Sequence, residues 1–161
     1  MTITEYNKSV DLFSDRIYRF VLKNCRDEYF SQDIVQDCYE KLWKKIDTVD
    51  FQKVRSYLFS TAYHALIDRI RKEKRIESTN ERYYPEISDG SQYSDLSEVL
   101  DEAVEKLPDM QRLVLLLRDY EGYSYKEIGE LAHLSESQVK VYIYRARVFL
   151  KNYIGKIDIL V

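Results

Sequence analysis

Apolar residues recur at spacings of three and four along almost the whole chain, and strand-type alternation is scarce. Val10, Phe13, Ile17, Phe20 and Val21 share one face of a first predicted helix. Ile34, Val35, Cys38, Leu42 and Ile46 mark a second, with Ser31 placed to cap it. Val54, Leu58, Thr61, Ala62 and Ala65 mark a third, which runs into the basic stretch RIRKEKR. Leu96, Val99, Leu100, Ala103 and Leu107 form a fourth stripe. Pro108, whose fixed φ suits a first turn, opens a fifth helix that carries Leu113, Val114, Leu116 and Leu117 and ends near Gly122. The segment YKEIGELAHLSESQVKVYIYRARVFLK, residues 125–151, then reads as two short helices with a bend between them.

This rhythm breaks once. STNERYYPEISDGSQYSD, residues 78–95, is polar, holds Pro85 and Gly90, and sets one arginine against four acids. It is expected to be a flexible acidic linker. The pattern therefore predicts an all-α protein of two small helical domains, residues 8–77 and 98–154, joined by a linker over 78–97. The second domain is expected to be a four-helix, winged-helix-like unit built on a helix-turn-helix.

Composition narrows the picture. The chain has 161 residues, 33% charged and 45% hydrophobic, which suits a soluble fold. Its net charge of −3 excludes a polycation that coats nucleic acid, yet a local basic face still binds phosphate because distant charges are screened. Cys25 and Cys38 have no second pair and no histidine at ligand spacing, so they read as small core residues in a reduced cytosol. The N-terminal MTITEYNKSV lacks the charged start and apolar run of a secretory signal. The longest apolar run, Leu113 to Leu117, is far short of the ~20 residues a membrane span needs. A cytoplasmic protein without membrane insertion is expected.

In the bent helix pair, Gly129 is the small residue where the helices cross and Leu134 the apolar turn residue. Val139 and Ile143 form the inner face of the second helix, and Ser135 caps it. His133 stands where a glycine is usual, and histidine tolerates positive φ better than most residues. The outer face presents Glu136, Ser137, Lys140, Val141, Tyr144, Arg145 and Arg147. That length and chemistry suit a DNA major groove. A solvated basic face on an ordinary amphipathic helix is the bland reading of the same residues.

Two further patches lie in the first half. Arg69, Arg71, Lys72, Lys74 and Arg75 crowd one helix end, downstream of Tyr57, Phe59 and Tyr63. Cations beside aromatic rings suit unpaired bases, because base–aromatic stacking contributes ~1–3 kcal/mol per base. Some of these rings belong to the core, Phe59 at least. Asp33, Gln36, Asp37 and Glu40 share one polar face of the second helix, with Trp43 near its end. A solvated face accounts for the polar set, and a half-exposed tryptophan suits a protein interface.

DIVQDCYEKLWKKID, AYHALIDRIRKEKR, LPDMQRLVLLLRDYEGYSYKEIGEL and LSESQVKVYIYRARVFL, in this order, resemble the extracytoplasmic-function (ECF) subfamily of bacterial RNA polymerase sigma factors over residues 8 to 152. The resemblance implies a region 2 domain that docks on core polymerase through Asp33, Gln36, Asp37, Glu40, Trp43 and Lys44. It implies capture of the −10 element as the duplex opens, by the loop 47–53 and the helix from Val54 to Arg75. The residues assigned to that task are Tyr57, Tyr63, His64, Arg69, Arg71, Lys72, Lys74 and Arg75. It implies a region 4 that reads the −35 element with Lys140, Val141, Tyr144 and Arg145, while Ser135, Ser137 and Arg147 hold phosphate and Glu136 lies alongside. Implied partners are core RNA polymerase, promoter DNA and an anti-sigma protein, frequently membrane-bound in the family. Two departures stand out: His64 replaces a common asparagine, and Ser137 to Tyr142 replaces a common Gly-Thr-Val-Lys-Ser-Arg.

The rival reading is a stand-alone helix-turn-helix regulator that acts without polymerase. An enzyme is not expected. The chain has no phosphate-cradling glycine loop, nucleophile motif or metal cluster, so no catalytic residue, metal or cofactor is assigned. His64 and Asp68 share a helical face, as many surface pairs do. The tail NYIGKIDILV is expected to pack on the core.

Overall fold

The structure is a computed structural model that describes the backbone of residues 1–77 and 96–159, with side chains for 1–76 and 96–156. The linker expected at 78–97 lies almost wholly outside the described residues. Seven α-helices and one short 3-10 turn make up the described elements. α1 (Ile3–Cys25), α2 (Glu28–Lys44), the 3-10 turn (Phe51–Lys53) and α3 (Val54–Glu77) form the first half; α4 (Leu96–Glu105), α5 (Asp109–Asp119), α6 (Tyr125–Ala132) and α7 (Glu136–Ile159) form the second. There is no strand among the described residues, so the second half carries no wing there.

Local chemistry sets the helix ends. Thr2 caps α1 through a capping box with Glu5, and Ser124 does the same for α6 with Glu127. α2 begins earlier than expected. Asp27, not Ser31, is its cap and accepts the Phe30 N–H at 3.0 Å. Ser31 lies inside the helix, fully buried, where its hydroxyl donates to the Asp27 carbonyl at 2.7 Å. Pro108 stands one residue before α5 rather than in its first turn.

Ile17, Phe20 and Val21 of α1, Ile34, Cys38 and Leu42 of α2, and Val54, Leu58 and Ala62 of α3 close the first core. Burial pushes the Cys38 thiol up to about 12, so it is an inert thiol in a packed site. In the second half, α4 and α5 both pack on α7. The core there holds Val104, Leu113, Leu116, Leu117, Ile128, Val139, Ile143 and Ala146. Phe149 stacks on Tyr153 at 6.2 Å, and the Lys106 ammonium donates to the Tyr153 hydroxyl at 3.2 Å, which ties the start of the C-terminal segment to α4.

The halves do not stand apart. α1 touches α5, α3 touches α6, and one apolar cluster runs through both. α3 therefore buries two faces. Leu58 and Ala62 point to the first core, while Phe59 meets Tyr123 of the second half edge-on at 6.0 Å. Polar bonds stitch the same seam. Arg112, 7% exposed, donates to the Asn24 carbonyl at 2.9 Å and the Asn24 side chain at 3.3 Å. Glu121 accepts from Arg16 at 2.6 Å and faces Arg55 at 3.5 Å.

Candidate nucleic-acid interface and partner face

The bend between α6 and α7 depends on two backbone positions. A Cβ on Gly129 would lie 2.8 Å from the Leu134 carbonyl oxygen, closer than two such atoms pack, so only glycine allows this crossing. His133 sits at φ 56°, ψ 45°, the left-handed conformation expected of it, and its N–H bonds back to the Gly129 carbonyl. Ser135 and Gln138 then form a reciprocal cap. The Gln138 N–H donates to Ser135 Oγ at 3.1 Å, and the Ser135 N–H to Gln138 Oε1 at 2.9 Å. Val139, Ile143 and Ala146 face the core.

Every residue assigned to the reading face is exposed: Ser135, Glu136, Ser137, Lys140, Val141, Tyr144, Arg145 and Arg147. Tyr144 is 70% exposed, a large ring held in solvent with no core to fill. Lys140 faces Glu136 at 3.7 Å, a surface pair that a stronger anion displaces readily. Arg147 is more firmly held. It donates to Asp119 at 2.9 Å, and that bond above all pushes its guanidinium further up.

The second patch separates into two groups. Arg71, Lys72, Lys74 and Arg75 are exposed along the end of α3. Tyr63 is 3% exposed, and burial raises its phenol to about 12; in this arrangement it is a core ring, not a stacking platform. Arg69 likewise departs from its expected role of holding strand backbone. Its guanidinium lies 4.2 Å over the Phe30 ring and bonds Asp27 at 3.0 Å and Glu73 at 2.9 Å. It locks α3 to the start of α2. Tyr57 and His64 are half-buried. The His64 ring lies 4.9 Å from that of His133, and its Nδ1 is 2.7 Å from the Ser60 carbonyl. Between α3 and the α6–α7 turn lies a cleft of about 500 Å³ lined by His64, Arg71, Lys74, Met110 and His133.

The third patch is continuous. Asp33, Gln36, Asp37, Glu40, Trp43 and Lys44 are all exposed on the outer side of α2. Trp43 is 49% exposed and meets Tyr6 edge-on at 5.2 Å, so the ring is braced from behind with one side in water. Lys44 pairs with Glu40 at 3.1 Å.

Sequence reasoning missed the polar residues of the seam: Arg16, Asn24, Arg55, Arg112 and Glu121. One signal was present. Arg112 lies one turn before Leu116 on a helix whose neighbours are apolar, a charge on a buried stripe. Among the described residues no cluster of histidine, cysteine and carboxylate side chains is arranged to hold a metal. No helix there is long and apolar enough to cross a membrane.

Two family models match this chain in the order of its halves: Sigma-70 region 2 over residues 10–76 and Sigma-70 region 4 over residues 97–150. The two halves, in this order, are those of a sigma-70-type transcription factor. ECF RNA polymerase sigma factor SigM of Bacillus subtilis (strain 168) is 29% identical over 156 residues, 94% of either chain. SigW of the same organism is 29% identical over 159 residues, covering 89% of this chain and 85% of that one. The protein belongs to the ECF RNA polymerase sigma factors. In fold it is similar to the sigma factor RpoE solved with the anti-sigma factor NepR from Bartonella quintana (TM-score 0.77, 20% identity, 95% of this chain and 98% of that one). It is also similar to CnrH solved with the cytosolic domain of CnrY (TM-score 0.66, 23% identity, 94% and 88%).

Proposed function

We propose that this sigma factor uses three surfaces in turn. The outer face of α2, with Asp33, Gln36, Asp37, Glu40, Trp43 and Lys44, docks on core RNA polymerase. The unit over residues 98–154 places α7 in the major groove of the −35 element. Lys140 takes a guanine edge and Val141 a thymine methyl, with Tyr144 and Arg145 beside them, while Ser135, Ser137 and Arg147 hold phosphate. The unit over residues 8–77 then holds the parted −10 strand along α3, with Arg71, Lys72, Lys74 and Arg75 on its backbone. Capture of an unstacked base offsets the few kcal/mol that unstacking costs. The chain performs no covalent chemistry; the assembled enzyme does. An anti-sigma protein is the proposed regulator, supported by the sigma factor RpoE, similar in fold, solved with the anti-sigma factor NepR.

The observation that carries this reading is the exposed reading face of α7 on one chain with the acidic, tryptophan-edged face of α2. A regulator acting alone has no use for the second. Reconstituted transcription tests it: with core polymerase and a promoter fragment, Lys140→Ala with Arg145→Ala is expected to lower initiation at least tenfold while leaving core binding intact. Asp33→Lys with Asp37→Lys is expected to abolish core binding. Undiminished initiation or binding removes the respective assignment.

A further inference from the structure

Tyr120, which follows α5, carries a ring that stands half in water. It is 44% exposed and separates two cavities that α1 shares with the second half. The smaller, of about 120 Å³, is cationic and is lined by Arg16, Arg19 and Lys23. The larger, of about 300 Å³, has Leu22, Val104 and the tyrosine ring as apolar walls, and Glu28, Asp101 and Glu105 as acids. Lys23 lines both, with its ammonium 3.8 Å from the centre of the ring. The roles given to α2, α3 and α7 use neither cavity.

The two ends suit different parts of one ligand. Arg16, Arg19 and Lys23 follow one another at three and four residues, so they form a stripe that rises about 10 Å along α1. That leaves room for more than one phosphate. Glu121 lines the same end, but its carboxylate is 9% exposed and already shared by Arg16 at 2.6 Å and Arg55 at 3.5 Å. Arg19 pairs with Asp15 at 3.0 Å with both side chains mostly in water, a contact that a phosphate displaces readily. Lys23 rests on a ring, and a phosphate is the stronger partner for an ammonium. At the other end Arg26 takes Glu105, which leaves Asp101 and Glu28 as acceptors beside the apolar walls. A carboxylate presents two acceptors side by side. Guanine alone among the common bases offers two adjacent N–H donors on its pairing edge; adenine and cytosine set a donor beside an acceptor. An aromatic ring next to such a carboxylate gives the base a face to stack on.

We propose that this cleft binds a guanine nucleoside polyphosphate: phosphates on Arg19 and Lys23, the base against Tyr120, and its N1–H and 2-amino group donating to Asp101. Arg16 stays on Glu121 and frames the phosphate end. Binding here is separate from promoter reading and from docking on polymerase, and it involves no covalent step. The ligand touches α1 of the first half and α4 and Tyr120 of the second, so it raises the stability of the folded chain by mass action.

Isothermal titration calorimetry on the full chain, at low salt and without divalent cations, tests this with GTP, ATP, guanosine and inorganic triphosphate. GTP is expected to bind at one site per chain and ATP roughly tenfold more weakly, because its pairing edge leaves one carboxylate oxygen facing an acceptor. Guanosine and triphosphate, each half a ligand, are expected to bind more weakly still. Arg19→Ala with Lys23→Ala is expected to weaken GTP roughly tenfold. Lys41→Ala with Lys45→Ala removes the same charge elsewhere and is expected to leave GTP binding unchanged; equal losses in the two double variants would mean a diffuse charge effect and overturn the site. Asp101→Asn is expected to bring GTP down to the level of ATP while triphosphate binding holds, and a retained preference for GTP overturns the placement of the base. Melting temperatures give the second readout. Without ligand they show that each variant folds. With GTP the midpoint is expected to rise in the parent and to stay put in the Arg19→Ala, Lys23→Ala variant. No GTP binding by either measurement at millimolar concentration, or GTP and ATP bound alike by the parent, overturns the proposal.

Discussion

At the scale of single residues, Gly129 sets the crossing of α6 and α7. Gly129 is required because a methyl there meets the Leu134 carbonyl at 2.8 Å, and backbone cannot move aside as a side chain can. Gly129→Ala is expected to destabilise the protein by about 1–3 kcal/mol, the usual range for forced overpacking, and to widen the α6–α7 angle. Denaturant unfolding with an unchanged slope would show this as a lower midpoint. Asp27 is a different kind of fixed point. Its carboxylate accepts the Phe30 N–H and the Arg69 guanidinium, and these bonds, the backbone one foremost, hold it below the ordinary value of 3.8. A carboxyl whose pKa is lower folded than unfolded stabilises the fold above its unfolded pKa. That contribution fades as pH falls below about 4 and through the lowered folded value. The melting temperature of the Asp27→Asn variant is therefore expected to lie below that of the parent at neutral pH. The two curves should approach each other as the solution is acidified, and a constant gap would count against the assignment.

At the scale of elements, apolar spacing read well wherever a helix has one buried face. Val139 and Ile143 of α7 and Ile17, Phe20 and Val21 of α1 lie in the core as their spacing requires. The turn chemistry at Gly129, His133 and Ser135 was also legible, because each conformation has a short list of residues that tolerate it. The spacing failed on α3, which buries a second face against the other half. Tyr63 and Arg69 looked like a ligand surface, since nothing local says that the core will bury the one or that the cap of α2 will claim the other. The start of α2 failed for a smaller reason: Asp27 and Ser31 are both good caps, and only the chain's path out of α1, through Arg26 at φ 55°, selects the first. The cap of α7 gives a prediction of its own. Ser135→Ala leaves the Gln138 N–H without its partner and is expected to cost about 1 kcal/mol. Arg147 belongs to the same element. If it exchanges Asp119 for a phosphate, Arg147→Ala should weaken DNA binding alike for all sequences and flatten the log–log salt dependence by about one. Binding titrations over a range of salt on matched and unmatched duplexes read both.

For the whole molecule, the question is what joins two small helical units that neither repeat nor share a sheet. Arg112 answers much of it. Its guanidinium leaves α5, passes into the first half, and gives bonds to the Asn24 carbonyl and side chain. It also reaches the Leu107 carbonyl at 2.9 Å and Asp109 at 2.8 Å at its own base. Asn24 is buried too, and its amide is already committed to the Phe20 carbonyl at 2.7 Å. These carbonyls cannot turn to water without parting the halves, so Arg112 both satisfies the C-terminal end of α1 and anchors α5. Replacing it by leucine removes the charge but strands several buried acceptors, each of which then loses a charged donor. Arg112→Leu is therefore expected to lower stability by about 3 kcal/mol, whereas Arg112→Lys, which reaches with one centre instead of a planar fork, should recover only part of that. Hydrogen exchange locates the effect: faster exchange confined to the last turn of α1 and the start of α5 is the expected pattern. Uniform acceleration across both halves would mean that Arg112 supports the second core rather than the junction.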